Sequence, residues 1–408
     1  LVDPATGQPT DETTVTVAGE GTYTIDPTTG AVTFTPEKDF VGTATGVKIQ
    51  AIATITNEDG KTSTITSDAT YTPTVVPAVP TANPATSKDV QGATQTGTPT
   101  FAGTTVQVNG EDKAITIKDN SYTLLDNDGN EVTSTPAYAA DGTTEIGTFS
   151  IDPATGQVTF TPTDKSYTGK VTPVKVQAES SNGIKVDTTY TPEIVPVTPT
   201  ATPAETTDIQ GATQTGKPEF TEGNSRVPMN DDVPATFDDG STTKTVDGVG
   251  TYTVAADGTV TFVPEKSFTG KAPAVTVVRE DKNGTKASAT YTPTVLPITK
   301  FVDKEGKEIP GYPAVDGEEP KAEIPGYRFV ETKKLPNGDT EHVYEKVTTS
   351  YVDENGDPIP GNPTEDGEQP KKDIPGYDFV KTVVDKDGNT QHIYKKTVTP
   401  TPMPDPTP

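Results

Sequence analysis

Residues 21–42 read GTYTIDPTTGAVTFTPEKDFVG, and this stretch predicts a β-hairpin. Tyr23 and Ile25 alternate with Thr before the centre, and Val32 and Phe34 alternate with Thr after it, so each half has one apolar face. The central DPTTG combines the fixed φ of Pro with the free φ of Gly, as a turn requires. We expect two short antiparallel strands that bury one face.

The hairpin recurs, which predicts a chain built from repeated modules. It returns as GTFSIDPATGQVTFTPTDKSYTG at 147–169 and as GTYTVAADGTVTFVPEKSFTG at 250–270, and each copy is followed by a strand ending in TYTP. A Pro- and Val-rich connector and then DVQGATQTG (89–97) or DIQGATQTG (208–216) stand before the later copies. We expect module one at 1–78, module two at 82–198 and module three at 201–297.

Module one starts at a point that corresponds to the middle of module two. LVDPATG at the start of the chain aligns with the region of SYTLLDNDG in module two. We therefore expect module one to lack its opening strands and the chain to be an internal piece of a longer protein.

From residue 298 the pattern changes to a repeat of 50 residues. His342 and His392 occupy equivalent positions, and Asn337-Gly338 and Asp387-Gly388 are strong hairpin-turn signals. We expect module four at 298–348, module five at 349–397, and an extended Pro/Thr-rich tail at 398–408.

Composition narrows the class of protein. The 408 residues carry a net charge of −27, which disfavours nucleic acid and anionic membranes as partners, and no apolar run approaches the ~18 residues of a membrane helix. With no cysteine, the chain has neither disulfides nor thiolate metal sites, which suits the cytosol or a Gram-positive exterior.

High charge with few large aliphatic residues is typical of disorder, but the in-register repeats favour folding. We predict an elongated all-β array of sandwich-like modules followed by two small β-rich repeats.

Several motifs resemble known families. QGATQTG followed by P-x-F, the GTYT–turn–VTF hairpin and the TYTP ending resemble the CshA-type fibril repeat of streptococcal cell-wall adhesins over residues 1–297. Residues 298–397 resemble MucBP-type repeats in their YVDxxG start, IPGY centre and HxYxK end. The resemblance implies an extracellular fibrillar protein anchored to peptidoglycan through a C-terminal motif outside this sequence. It also implies contact with host glycoproteins or other bacterial cells through the full-length adhesin.

Candidate binding residues are few, and each has an ordinary structural explanation. The GY motifs contain Tyr312, Tyr327 and Tyr377, which would contact glycans if the MucBP resemblance extends to ligand binding. The alternative interpretation, which we favour, is that these tyrosines pack on their own sheets. His342 and His392 precede a Tyr by two residues, which places each His–Tyr pair on one strand face and gives no evident metal site. DNDG at 126–129, NEDG at 57–60 and DENG at 353–356 read as turns rather than calcium loops.

Three lysines recur two residues before an aromatic residue. Lys38, Lys165 and Lys266 are candidates for an intramolecular amide bond to Asn or Asp. The alternative, which we favour, is a strand-edge lysine that covers the aromatic ring and blocks edge pairing.

Three classes of function remain. The first is a structural stalk for an N-terminal adhesive region; the second is a mucin- or glycoprotein-binding module at 298–397. An enzyme is disfavoured because nearly every distinctive residue has a counterpart in a sister module, whereas an active site is assembled once. We expect no catalytic residue, cofactor or metal.

Overall fold

The computed structural model describes residues 1–398, 400 and 403, and throughout these residues the regular secondary structure is β-strand, which confirms the predicted all-β class. No helix that could cross a membrane occurs in this part of the chain. The chain divides into two compact units, residues 1–197 and 198–408. Apart from residues 398, 400 and 403, the predicted tail at 398–408 lies outside the described residues.

Module one contains seven strands in three small sheets, β1-β2-β3, β5-β6 and β4-β7. The strands are β1 (Thr14–Val17), β2 (Gly21–Ile25), β3 (Val32–Pro36), β4 (Gly42–Thr43), β5 (Val47–Thr56), β6 (Thr62–Tyr71) and β7 (Thr74–Val75).

Module two has two main sheets. One has the order β10-β18-β17-β16; the other has β15-β14-β20-β21-β19, with β9 also paired to β21. Small pairs β8-β11 and β12-β13 complete it. The strands are β8 (Thr81–Asn83), β9 (Ala85–Val90), β10 (Gln95–Gly97), β11 (Thr100–Ala102), β12 (Thr104–Val108), β13 (Glu111–Ile115), β14 (Thr123–Leu125), β15 (Glu131–Val132), β16 (Ser134–Tyr138), β17 (Glu145–Ile151), β18 (Val158–Pro162), β19 (Gly169–Lys170), β20 (Val174–Glu179) and β21 (Lys185–Val195).

Module three repeats this plan with sheets β24-β29-β28-β27 and β23-β32-β31-β26, β30 pairing with β32 and β22 with β25. The strands are β22 (Thr200–Thr202), β23 (Ala204–Ile209), β24 (Gln214–Gly216), β25 (Glu219–Thr221), β26 (Thr236–Phe237), β27 (Thr243–Val246), β28 (Gly250–Val254), β29 (Val260–Pro264), β30 (Gly270–Lys271), β31 (Val275–Glu280) and β32 (Lys286–Leu296).

Modules four and five are each a four-stranded sheet, with orders β34-β33-β36-β35 and β38-β37-β40-β39. The strands are β33 (Ile298–Asp303), β34 (Val315–Asp316), β35 (Tyr327–Lys334), β36 (Thr340–Lys346), β37 (Thr348–Asp353), β38 (Glu365–Asp366), β39 (Tyr377–Val384) and β40 (Thr390–Lys396).

The three predicted hairpins are confirmed as β2–β3, β17–β18 and β28–β29, all antiparallel. Their alternation decides which side is buried: Phe160 and Phe262 are completely buried, whereas the intervening Thr residues are not. Burying an aromatic side chain of this size contributes about 2–3 kcal/mol, so these rings are the main core material of small modules.

The last residues of each Pro-rich connector belong to a sheet of the following module. Residues 85–90 and 204–209, in which the two connectors end, form β9 and β23. Each runs parallel to the last long strand of its own module, β21 or β32, over six paired positions. Pro84 and Pro203 each stand directly before the paired strand, where a missing N–H leaves the ladder intact.

Module one differs from its sisters in its second sheet. Its ribbon β5–β6 corresponds to β20–β21 of module two, but within the described residues the ribbon forms a sheet of only two strands. Ile52 and Ile65 on this ribbon are accordingly 60% and 55% exposed. The same alternation therefore produces a buried face only where further strands cover it.

Candidate functional site

The recurring signature QGATQTG forms a buried hydrogen-bond latch in module two. The Ser87 hydroxyl donates to Oε1 of Gln95 at 2.6 Å, and the Tyr190 hydroxyl lies 2.6 Å from Ser87 Oγ. Because the Ser87 proton is used by Gln95, Tyr190 donates to Ser87. Nε2 of Gln95 then donates to the Glu193 carbonyl at 2.9 Å.

The latch joins the two sheets of the module. Ser87 lies on β9 and Tyr190 on β21, both in the larger sheet, whereas Gln95 lies on β10 of the other sheet. Gln95 is 4% exposed and Tyr190 fully buried, so every polar atom of the latch depends on its partner. Removing one partner leaves a buried group unpaired, at a cost of about 1–3 kcal/mol.

Module three builds the same latch with Thr in place of Ser. The Thr206 hydroxyl donates to Gln214 at 2.6 Å and lies 2.5 Å from the Tyr291 hydroxyl. Nε2 of Gln214 donates to the Thr294 carbonyl at 2.9 Å. The Ser–Thr exchange preserves the hydroxyl, which is the only group that this position contributes to the latch.

The last glycine of the signature leaves space for the tyrosine ring. A Cβ on Gly97 would lie 2.2 Å from Cε1 of Tyr190, and one on Gly216 would lie 2.2 Å from Cε1 of Tyr291. These distances are far shorter than the optimal separation of two non-bonded carbon atoms, which is about 3.5 Å or more. In QTG, Gly therefore leaves room for the ring of the TYTP tyrosine, and Gln bonds the Ser or Thr hydroxyl that in turn bonds this tyrosine.

The first glutamine of the signature has a separate role in module two. Nε2 of Gln91 donates to the Lys165 carbonyl at 2.8 Å, and its Oε1 accepts from Val197 N at 3.1 Å. Gln91 thereby ties the end of the module to the loop after the hairpin.

Burial governs the electrostatics of the tyrosine hydroxyls. It raises the pKa of Tyr190 and Tyr291, and the hydrogen bonds with Ser87 and Thr206 partly oppose the rise. Burial also raises the pKa of Tyr252 to about 12. These phenols stay neutral donors and are not poised as general bases near neutral pH.

Modules four and five carry a different clasp, formed by the HxY motif. In module four, His342 is 4% exposed, with Nδ1 2.9 Å from the Thr332 hydroxyl and Nε2 2.8 Å from the Glu319 carbonyl. Since a carbonyl only accepts, Nε2 carries the proton and Nδ1 accepts from Thr332. Tyr344 donates to the Ala322 carbonyl at 2.7 Å and accepts from Ala322 N at 3.0 Å.

Module five repeats this clasp. His392 lies 2.7 Å from both the Thr382 hydroxyl and the Gln369 carbonyl, and Tyr394 donates to Lys372 O at 2.7 Å. In both modules, His and Tyr share one face of the last strand and hold an extended segment that has no strand partners of its own. The arrangement satisfies backbone groups and leaves no ring nitrogen open for a metal.

The candidate glycan-contact tyrosines are part-buried. Tyr312 packs edge-on against Phe301 at 6.3 Å between ring centroids. Tyr327 and Tyr377 begin β35 and β39 and pack against the cores of modules four and five. Tyr312 and Tyr327 thus pack at the margin of the module-four core, and Tyr377 packs at the margin of the module-five core.

The candidate cross-link lysines lie on the surface. Lys38, Lys165 and Lys266 are all exposed. Lys38 approaches a turn of module two, where its Nζ lies 3.7 Å from the position that a Cβ on Gly183 would occupy. Exposure suits the edge-lysine interpretation, because the cross-linking reaction needs a desolvated amine.

The acidic loops are turns, as their composition indicated. Oδ1 of Asp126 accepts from the backbone N of Asp128 and of Asn130, at 2.9 and 2.8 Å. Asp353 makes the same pair of bonds in the DENG loop. Across the described ranges, no group of three or more His, Asp or Glu side chains is placed to hold a metal ion.

The fold defines a tandem array of β-modules, and in modules two to five the most distinctive residues close their own unit. Residues 1–75, 77–194 and 196–295 match the family described as the surface adhesin CshA repetitive domain, and the chain belongs to that family. Residues 297–346 and 347–396 match the SSSPR-51 domain. The MucBP-type assignment is therefore not confirmed; the units are shorter than typical mucin-binding repeats, and the IPGY and HxYxK elements that suggested it belong to a different 50-residue repeat.

Individual proteins are similar over parts of the chain. Muramidase-released protein of Streptococcus suis is 40% identical over 86 residues, which is 21% of this chain and 6% of that protein. Repeat domain 13 of the fibrillar adhesin CshA from Streptococcus gordonii is 56% identical, covering 17% of this chain and 90% of that structure, with a TM-score of 0.12. Mouse cadherin-23 EC22–24 is 14% identical and covers 68% of this chain and 82% of its own, with a TM-score of 0.23. At such TM-scores neither structure defines how the modules are arranged.

Proposed function

We propose that the chain is a non-catalytic stalk of a Gram-positive fibrillar adhesin, arranged as modules 1–78, 82–198, 201–297, 298–348 and 349–397. It holds an N-terminal adhesive region away from the cell wall, to which the protein is anchored through a C-terminal motif. The adhesive region contacts host glycoproteins or other bacterial cells. Membership in a surface-adhesin repeat family supports the extracellular location.

One observation carries this proposal: the recurring signature residues of modules two to five bond within their own module and close it. Ser87–Gln95–Tyr190 and Thr206–Gln214–Tyr291 are the same device built twice, and the His–Tyr clasp is built twice again. A stalk requires many self-contained units, and no one unit requires a unique site. The net charge of −27 keeps neighbouring stalks apart through mutual repulsion.

The alternative is glycoprotein binding by modules four and five. It requires exposed aromatic rings that stack on sugars, and Tyr312, Tyr327 and Tyr377 instead pack at the margins of their own cores. This packing favours the stalk.

The proposal is tested by displaying the chain on a Gram-positive wall with an N-terminal epitope tag. The height of the tag above the wall should fall when residues 201–297 are deleted. It should recover when a second copy of 82–198 takes their place, which restores length without restoring the sequence. A tag height that does not depend on the number of modules would contradict a stalk.

The exposed lysines fit a stalk that needs no covalent cross-link. We expect the intact mass of the chain to equal the mass of its sequence. A mass lower by one ammonia or one water per link, abolished by Lys165→Arg or its equivalents, would establish the amide bond instead.

A further inference from the structure

Modules two to five share one topological feature despite belonging to two repeat families. In each, an early strand runs parallel to the last strand and pairs with it directly: β9 with β21, β23 with β32, β33 with β36 and β37 with β40. We call each of these a terminal pair. Six positions are paired in modules two and three, and five in modules four and five.

The parallel direction decides how tension along the chain acts on a terminal pair. Tension along the chain acts at the start of the early strand of each pair and at the end of the last strand, and in a parallel pair these points lie at opposite ends of the ladder. Pulling them apart slides the two strands past each other, so all the paired positions bear the force together. In an antiparallel pair the two points would lie at the same end, and the bonds would open one after another.

The latch reinforces the same pair of strands. In module three, Thr206 on β23 bonds the hydroxyl of Tyr291 on β32, and Gln214 bonds the Thr294 carbonyl, also on β32. The Thr206–Tyr291 bond therefore crosses directly between β23 and β32, and Gln214 on β24 links the same two strands through its bonds to Thr206 and to the Thr294 carbonyl. Gly216 leaves the room that the Tyr291 ring needs to make them.

The connections in residues 286–353 are short enough to pass tension directly between terminal pairs. Pro297 alone separates β32 from β33, and Val347 alone separates β36 from β37. There is no slack segment at these two junctions, so force leaving the last strand of one module reaches the first strand of the next.

We propose that the terminal pair, reinforced in modules two and three by the latch, is a tension-resisting clamp, so that each of modules two to five is mechanically strongest along the direction in which the chain itself pulls. This goes beyond a stalk, which needs only length. It also assigns the QTG and TYTP signatures a role in resisting unfolding under force. Module one has no terminal pair among its described residues, because β6 pairs with β5 and β7 with β4, both antiparallel.

The clamp is tested by single-molecule force spectroscopy on the whole chain held by its two ends. The extension released identifies each module: roughly 26 nm for residues 1–78, roughly 40 nm for 82–198, roughly 33 nm for 201–297 and roughly 17 nm for each 50-residue unit. We expect the 1–78 event at the lowest force. If it opens at the same force as the 82–198 and 201–297 events, the clamp is wrong.

Two conservative variants separate the clamp from general stability. Tyr291→Phe removes the latch hydroxyl and should speed unfolding of module three at a given force about fivefold. Tyr252→Phe removes an equally buried hydroxyl from β28, which lies in the other sheet and is not a strand of the terminal pair. This hydroxyl donates to the Pro273 carbonyl at 2.7 Å. Tyr252→Phe should change the unfolding rate under force less than about twofold. It should nevertheless lower the equilibrium stability of module three about as much as Tyr291→Phe does. Equal effects of the two variants on the rate under force would overturn the proposal.

A change of pulling direction tests the geometry without touching the latch. Because the chain has no cysteine, Pro203→Cys with Thr290→Cys provides unique handles at one end of the β23–β32 pair, directly before its first paired positions, Ala204 and Tyr291. Force applied there opens the six positions in turn, and module three should yield at no more than about half the end-to-end force. The same force in both directions would refute the clamp. Either result leaves the display-height test of the stalk unaffected, so the two proposals fail separately.

Discussion

Gly216→Ala should destabilise module three strongly, because the added methyl group overlaps the Tyr291 ring and the surrounding core leaves that ring no space to move. It would lie 2.2 Å from Cε1 and 2.7 Å from Cδ1 of Tyr291. That ring is fully buried, and its hydroxyl is held 2.5 Å from Thr206. Overpacking of this kind costs about 1–3 kcal/mol, and moving the ring breaks the latch for about 1–3 more. We expect a loss of about 3–5 kcal/mol.

Gly211→Ala is the matched control from the same signature. Nothing lies within 4 Å of its Cβ position, and its φ of +79° makes the cost one of backbone strain, about 1–2 kcal/mol. The two variants therefore compare a steric clash with the Tyr291 ring against strain alone.

Native-state hydrogen exchange is the suitable assay, since a chain of several modules does not unfold in one step. Peptides covering β32 report on module three, and peptides covering β21 serve as an internal reference. Exchange from β32 should accelerate far more in Gly216→Ala than in Gly211→Ala, with β21 unchanged.

A double-mutant cycle shows whether the clash with the Tyr291 ring causes the destabilisation by Gly216→Ala. In a Tyr291→Ala background the clash is absent, so Gly216→Ala should cost little or even stabilise the strand. If Gly216→Ala costs the same with and without the Tyr291 ring, or no more than Gly211→Ala, the latch geometry described here is incorrect.

Three further outcomes follow from the buried groups. Gln95→Leu should cost module two about 2–4 kcal/mol, since it leaves Ser87 and a backbone carbonyl unpaired, and faster exchange from β21 would show it. His342→Ala should cost module four a similar amount through loss of both ring bonds, measurable as faster proteolysis at residues 318–324. Tyr252 and Tyr351 both have pKa values of about 12 in the folded chain, against about 10 when unfolded. Their neutral forms stabilise the fold fully below pH 10, and this contribution is lost as the pH rises to about 12. Circular dichroism recorded against pH should show this loss of folded structure, and the loss should be smaller in Tyr252→Phe.

The hairpins could be predicted from the sequence because their information is local. Tyr23 and Phe34 lie in one short stretch, and alternation with a central turn defines both the pairing and the buried face. The HxY pairs could also be placed on one strand face from their spacing alone. What the imidazole and phenol would bond to could not be foreseen, because the partners are backbone groups of a segment without regular pattern.

The terminal pairs and the latch could not be predicted, because their partners are distant in sequence. Ser87 and Tyr190 are 103 positions apart, and the connector that contains Ser87 looks like a spacer until β21 is there to pair with it. The sequence pattern singles out charged residues such as Lys165 as candidates for chemistry, whereas the latch uses neutral side chains. Recurrence of QTG together with TYTP was the one signal that could have joined them.

Small-angle X-ray scattering on the whole chain tests the stalk most directly. A compact globule of this length would have a radius of gyration of about 22 Å. Modules stacked end to end, with strands spanning on the order of 33 Å, would exceed a maximum dimension of about 100 Å and have a rod-like cross-section. We predict the rod. A radius near the compact value would contradict the stalk, and a random-coil profile would contradict the folded modules themselves.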